Sequence, residues 1–283
     1  MNIELMTETD RAAVLDYLLP YEKYCVVLCS QILHGGKSIY IIHGNFGEIH
    51  GVFSWWQASS LHHCIPDVNG RNRTELENAF THFFKEHSVK YIFSIAGEQS
   101  ATLMLRKILQ ENFQKEPAHQ FDYFLMENGR FDSVKDLKKM NRQLAVIQCT
   151  ENDIERVYPL QEAFEKEEVV FEDSLFDEEH CRTRFENFVE AGAVYAGKIK
   201  NVPLCKLTVS ATTKNYAMLG GVFTLPKYRN CGLGKALVNS VTMKMTALGK
   251  KCTLFVKTAN ETAIKLYEQT GFKKFSSFVI LYY

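Results

Sequence analysis

Residues 222–235 read Val-Phe-Thr-Leu-Pro-Lys-Tyr-Arg-Asn-Cys-Gly-Leu-Gly-Lys. The apolar start has strand character and stops at Pro226. Arg229, Gly232 and Gly234 then form a tight turn, and the residues after it predict a helix from about Leu233 toward Gly249. A strand, a glycine turn and a helix N-terminus together make a backbone site for phosphate. Amide N–H groups at the helix start have no intrahelical partner, and the helix dipole favours negative charge there. Glycines also let the backbone approach a pyrophosphate with no Cβ in the way. Lys235 adds a cation in the first turn. The same glycines would equally serve a tight turn before a packed helix. A Walker-type nucleotide loop is disfavoured, because Gly234-Lys235 is followed by Ala236.

On either side of this stretch the second half of the chain reads as an ordered series. Leu144–Gln148 is a strand, and Thr150 caps a helix carrying Ile154, Val157, Leu160 and Phe164. An acidic segment follows, with Glu165, Glu167, Glu168, Glu172 and Asp173. Asp177 starts a second helix, with Cys181, Phe185 and Phe188 inward. Strands 193–199 and 204–210 form a hairpin through Lys200-Asn201, and strand 216–225 leads into the glycine turn. After the long helix come a strand at 252–256, a helix at 261–270 stopped by Gly271, and a final strand at 275–281.

The first half has the same order of elements: helices at the start and at 21–32, strands at 38–42, 48–55 and 61–65, then helix 74–87, strand 91–95, helix 100–110 and strand 121–126. Little residue identity accompanies the shared order, which suggests an ancient duplication. The Lys-rich stretch between the halves sets the expected organisation: one domain at 1–130, a linker at 131–143 and a second domain at 144–283.

The 283 residues carry 33 basic and 33 acidic side chains, a balance that argues against general nucleic-acid or anionic-membrane binding. None of the eight cysteines forms a Cys-x-x-Cys pair, and a chain this long needs no disulfide staples. No basic-then-apolar leader follows Met1, and no run reaches transmembrane length. A cytoplasmic protein with reduced thiols is the expectation. No metal is expected: His62 and Cys64 share one face of a strand, His63 faces the other way, and no fourth ligand is evident.

At this point the residues carry a resemblance. The second half resembles a GNAT-superfamily N-acetyltransferase, whose signature is Arg or Gln, two residues, Gly, one residue, then Gly or Ala. Here this is Arg229-Asn230-Cys231-Gly232-Leu233-Gly234. A second mark is Asn at a helix start, Tyr seven residues on, then Gly-Phe, here Asn260, Tyr267 and Gly271-Phe272. The resemblance implies an α/β (α+β) chain with two acetyltransferase-like domains, each a mixed, mainly antiparallel sheet flanked by helices, with the C-terminal one intact.

The resemblance also implies acetyl-CoA as co-substrate, transferring acetyl by direct attack of an amine of unknown identity, small molecule or peptide. The cofactor would lie against Val222, Phe223, Thr224, Arg229, Asn230, Cys231, Gly232, Leu233, Gly234, Lys235, Asn260 and Tyr267. The strand backbone at 222–224 would pair with the pantetheine arm and polarise the thioester carbonyl. Tyr267 would be the general acid, since a phenol near pKa 10 is protonated at neutral pH. Asn260 is also a good N-cap, and Tyr267 also suits a core position beside Ile264 and Leu266.

Many family members place a Glu five residues before the Asn, and here that position is Phe255. The base must come from elsewhere, or the amine must arrive already deprotonated through water. The acidic segment supplies the candidates Glu165, Glu167, Glu168, Glu172 and Asp173, and two of these stand out, Glu168 and Glu172. They flank Val169, Val170 and Phe171, and an apolar wall there would raise a carboxylate pKa toward base work. The acidic segment also reads as a solvated charge run, and it favours a cationic acceptor. Cys231 sits at a helix start, where thiol pKa falls.

In the first half the comparable strand, turn and helix lie at 91–110. The turn Ala96-Gly97-Glu98-Gln99-Ser100 lacks the arginine and the second glycine, and Glu98 would repel a pyrophosphate. This half reads as a degenerate acetyltransferase-like domain that binds no coenzyme A. A homodimer is left open. The alternative function is a non-catalytic acyl-CoA-binding sensor or interaction module, which the loss of Glu at Phe255 favours and the presence of Tyr267 disfavours.

Overall fold

In the computed structural model, residues 1–55, 60–128, 144–169 and 176–283 are described. The first half comprises β1 (Asn2–Leu5), α1 (Arg11–Leu18), α2 (Val26–Leu33), β2 (Ile39–His43), β3 (Ile49–Ser54), β4 (Ser60–Cys64), α3 (Arg73–Glu86), β5 (Ser94–Glu98), α4 (Gln99–Phe113) and β6 (His119–Asn128). The second comprises β7 (Ala145–Gln148), α5 (Ile154–Phe164), α6 (Glu178–Glu190), β8 (Val194–Ile199), β9 (Val202–Thr212), β10 (Tyr216–Thr224), α7 (Leu233–Ala247), β11 (Lys251–Lys257), α8 (Glu261–Gln269) and β12 (Lys273–Tyr282). The order of elements is the same in both. Strand β1 has no counterpart in the sequence reading, because Asn2–Leu5 is short and mostly exposed. The expected helix 21–32 is a 3₁₀ turn, Leu19–Tyr24, followed by α2. Pro20 at its start removes a donor that a continuous α-helix would use.

Two compact units emerge, and they do not simply follow chain order. The first holds Met1–Met126, Phe255–Ala259 and Lys274–Tyr283; the second holds Glu127–Leu254 and Asn260–Lys273. The last strand, which the sequence assigned to the second domain, thus belongs to the first unit. It pairs antiparallel with β5, from Phe278 opposite Glu98 to Tyr282 opposite Ser94. Its Val279 and Leu281 are fully buried with Ile95, Phe80 and Leu105. A strand can be exchanged in this way because its backbone donors accept any edge of suitable register, while sequence periodicity reports only which face is apolar. The expected linker, 131–143, lies outside the described residues.

In the first unit the strands run β1-β2-β3-β4-β5-β12-β6, and in the second β11-β10-β9-β8-β7. Pairing is antiparallel in the ladders β1–β2–β3–β4 and β7–β8–β9–β10, and parallel at β4–β5 and β10–β11. Lys200 and Asn201 join β8 to β9 with φ of 48° and 64°. Both positive φ values match the turn that follows right-handed strand twist. The caps expected at Thr150 and Asp177 form: Thr150 closes a capping box with Asp153, and Asp177 Oδ1 accepts from the His180 N–H at 2.9 Å.

Strand order also changes one comparison between the halves. The sequence set Ala96–Ser100 beside the glycine turn. By topology the counterpart is the β4–α3 connection, since β4 runs parallel to β5 as β10 does to β11. Both connections span eight residues, 65–72 and 225–232, and both open with an aliphatic residue and a proline. In that register Asn69 stands for Arg229, Asn72 for Gly232 and Thr74 for Gly234. The first unit thus carries neither the arginine nor the two glycines at the equivalent positions, although Gly70 and Arg71 lie in the same turn. Glu98 instead caps α4, its carboxylate accepting from the N–H groups of Ser100 (2.8 Å) and Ala101 (3.4 Å).

His63 is 3% exposed and its Nε2 lies 2.9 Å from Thr102 Oγ1. Burial, with the neighbouring His62, pushes its pKa down to about 3. The unfolded chain therefore takes up this proton as pH falls below about 6.5, while the folded chain stays neutral until about 3. Stability is lost progressively across that window. Relative to His63→Gln, the wild type is expected to lose about 2 kcal/mol between pH 7.5 and pH 5. Chemical denaturation of both chains at the two pH values checks this, and parallel losses would remove His63 as the cause.

Candidate functional site

The second unit contains a cavity of about 740 Å³. Its origin is a divergence of strands. Strand β10 pairs with β11 only from Tyr216 to Met218, so beyond Met218 the two strands part. On its other side β10 pairs with β9, but the register slips between Gly220 and Phe223. Gly221 lies in that bulge with φ of 55°, a left-handed conformation that glycine adopts without strain. The freed length, Val222–Thr224, forms one wall of the cavity.

The glycine turn forms the next wall. Pro226–Tyr228 makes a 3₁₀ turn, Asn230 has φ of 61°, and Gly232 is the N-cap of α7 with φ of 77°. Having no side chain, Gly232 cannot cap the helix. The N–H groups of Leu233, Gly234 and Lys235 thus precede the first intrahelical bond, which Ala236 makes to the Gly232 carbonyl at 3.0 Å. All three residues line the cavity, as do Arg229 and Asn230. The arginine is held in place: its Nε donates to the Thr224 carbonyl at 3.1 Å, and its guanidinium lies 5.4 Å from the Phe223 ring centroid.

The third wall is α8. Asn260 caps it, Oδ1 accepting from the Ala263 N–H at 3.0 Å, and also lines the cavity. Tyr267 is 8% exposed, packs edge-on to Phe272 at 6.0 Å, and faces the cavity. It is therefore both a core aromatic and a cavity residue. Burial raises its phenol pKa, and the charge of Glu168 raises it further.

The acidic segment resolves into distinct roles. Glu165–Val169 continues α5 as a π-helical turn. Glu165 is buried, paired with Arg184, and accepts from Gln161 Nε2 at 3.0 Å, so it is committed to structure. Glu167 pairs with Arg229. Glu168 lines the cavity and acts on Tyr267. Glu172 and Asp173 lie outside the described residues. Phe255, at the place of the family's Glu, stacks on Phe278 at 5.3 Å and meets Tyr123 edge-on at 5.2 Å. Its role is packing within the first unit.

Cys231 is exposed and is the one residue of the signature that does not line the cavity. Sequence reasoning passed over Tyr228, Leu266 and Gln269, which line it. Tyr228 could have been flagged by its place directly before Arg229. The other two stand one residue before and two after Tyr267.

Residues 199–279 match the family model described as FR47-like protein. An acetyltransferase of the GNAT family from Colwellia psychrerythraea superposes with a TM-score of 0.58 at 13% identity, covering 100% of both chains. The chain has the GNAT fold. A tandem GNAT protein from the clavulanic acid biosynthesis pathway matches with a TM-score of 0.62 at 11% identity, over 99% of this chain and 98% of that one. A Drosophila protein gives 0.72 at 10% identity, over 99% and 98%. No curated protein matches the sequence. Among the described residues no helix is long and apolar enough to cross a membrane.

Proposed function

We propose that this protein transfers an acetyl group from acetyl-CoA to an amine, a small molecule or a peptide, by direct attack. The observation that carries the reading is the juxtaposition of two features in one cavity. The uncapped N-terminus of α7 suits a pyrophosphate, and Tyr267 and Glu168 line the same cavity. Bound there, acetyl-CoA supplies an activated thioester. Leu233, Gly234 and Lys235 hold its pyrophosphate through backbone N–H groups, and the Val222–Thr224 edge that faces away from β9 orients the pantetheine arm and polarises the carbonyl. Tyr267 donates its phenolic proton to the sulfur as the C–S bond breaks. Glu168 takes the proton from the acceptor nitrogen as the C–N bond forms. Glu167 and Glu168 together favour a cationic acceptor. The eight free thiols are in keeping with a reducing, cytoplasmic location.

Release of free thiol from acetyl-CoA, followed across a broad panel of amines, tests the proposal. At least one amine is expected to accelerate thiol release, and acetyl-CoA bound with no turnover on any amine would favour the sensor reading. Cys231 offers a second check. Seven of the eight cysteines are buried, so alkylation of the folded protein reports on Cys231. Coenzyme A bound to the adjoining amides is expected to slow its labelling by iodoacetamide several-fold. Equal rates with and without coenzyme A would argue against the site.

A further inference from the structure

Arg229 already holds an anion. Its Nη2 lies 2.7 Å from Glu167 Oε2, and both residues line the cavity. Three observations make this more than a surface pair. First, Arg229 does not depend on Glu167 for its orientation, because Thr224 and Phe223 fix the guanidinium from the strand side. Second, the carboxylate arrives on a π-helical turn anchored two residues earlier, where Glu165 is buried against Arg184 and Gln161. Such turns wind more loosely than an α-helix and recur at functional positions. Third, the neighbouring Glu168 lines the same cavity as Tyr267, so the turn spans both the anion end and the chemical end of the site.

We propose that Glu167 is an internal competitor for the pyrophosphate: it occupies Arg229 in the ligand-free protein and is displaced when a coenzyme A pyrophosphate reaches the α7 N-terminus. The exchange is one anion for another on a fixed guanidinium, and no covalent step is involved. Glu167, once displaced, is left unpaired beside Glu168. The cofactor would thereby add a negative charge on the acceptor side and strengthen the pull on a cationic amine. This inference rests on the coenzyme A reading of the cavity.

Calorimetric titration of coenzyme A into the wild type, Glu167→Gln, Arg229→Ala and the double variant tests it. An exposed ion pair contributes little, so Glu167→Gln is expected to tighten coenzyme A binding about fivefold, more at low salt. Arg229→Ala is expected to weaken binding, and in that background Glu167→Gln should give no gain. Glu162→Gln removes a carboxylate from the same helix end that pairs with Lys166 instead, and is expected to leave the affinity unchanged. Equal affinity of wild type and Glu167→Gln, or the same gain with and without Arg229, would overturn the competition. A wild type that binds no coenzyme A would overturn the cofactor reading itself, so the two failures are distinguishable.

Discussion

Replacing Tyr267 by Phe is expected to lower kcat about a hundredfold while leaving coenzyme A affinity unchanged. General acid catalysis by a placed side chain typically contributes a factor of about 10² or more. The substitution removes one oxygen and keeps the ring that packs against Phe272, so fold and cavity shape should persist. The phenol also predicts a pH profile. Burial and the charge of Glu168 both raise its pKa, so the proton stays on the oxygen throughout the neutral and mildly alkaline range. No loss of activity from Tyr267 is expected as pH rises to about 10, the ordinary phenol value. Steady-state kinetics and coenzyme A titration on both proteins check the pair of outcomes. A variant with unimpaired kcat would leave Tyr267 as a packing residue.

Lys206→Met is expected to stabilise the protein by roughly 3 kcal/mol at pH 7. Lys206 sits on β9 with no exposed surface, flanked by the buried Cys205 and Leu207. Its ammonium donates to Gln161 Oε1 at 2.5 Å, its one hydrogen-bond acceptor among the described residues, and lies 4.3 Å from the centroid of the Phe164 ring. Burial pushes its pKa down to about 7, with Glu165 opposing the shift. In the unfolded chain the ordinary lysine value is about 10.4. Between these values the unfolded chain binds the proton and the folded chain releases it, so this group's contribution to stability rises with pH from about 7 to about 10. Below that window the full penalty stands, roughly 4 kcal/mol, offset by about 1 kcal/mol for the bond to Gln161. The advantage of Lys206→Met should therefore shrink as pH rises toward 10. Denaturation of both proteins at pH 7 and pH 9.5 measures the difference, which isolates Lys206 from the cysteines and tyrosines that titrate in the same range. A variant less stable at both pH values would show that the lysine stabilises its site.

The cavity walls were largely legible because they depend on local chemistry. A glycine that must adopt φ of 77° and an Asn that caps a helix leave marks within a few residues of themselves. Thr150, Asp177 and the Lys200-Asn201 turn were readable for the same reason. The acidic segment was not. Five carboxylates in nine positions look alike along the chain, yet Glu165 is buried on Arg184, Glu167 faces Arg229, and Glu168 faces Tyr267. Those partners stand 19, 62 and 99 positions away, and no periodicity of the segment encodes them. Lys206 was invisible as a buried charge, because a lysine on a strand ordinarily faces water.

By itself the sequence determined the repeated order of elements, the glycine turn and the helix starts around it. Each of these follows from backbone preferences of a few neighbouring residues. Only the tertiary structure decided where β12 pairs, which first-half turn answers to the glycine turn, and which carboxylate meets which partner. These are long-range choices. They rest on hydrogen-bond edges and charges that many segments could satisfy equally, and packing of the whole unit selects among them.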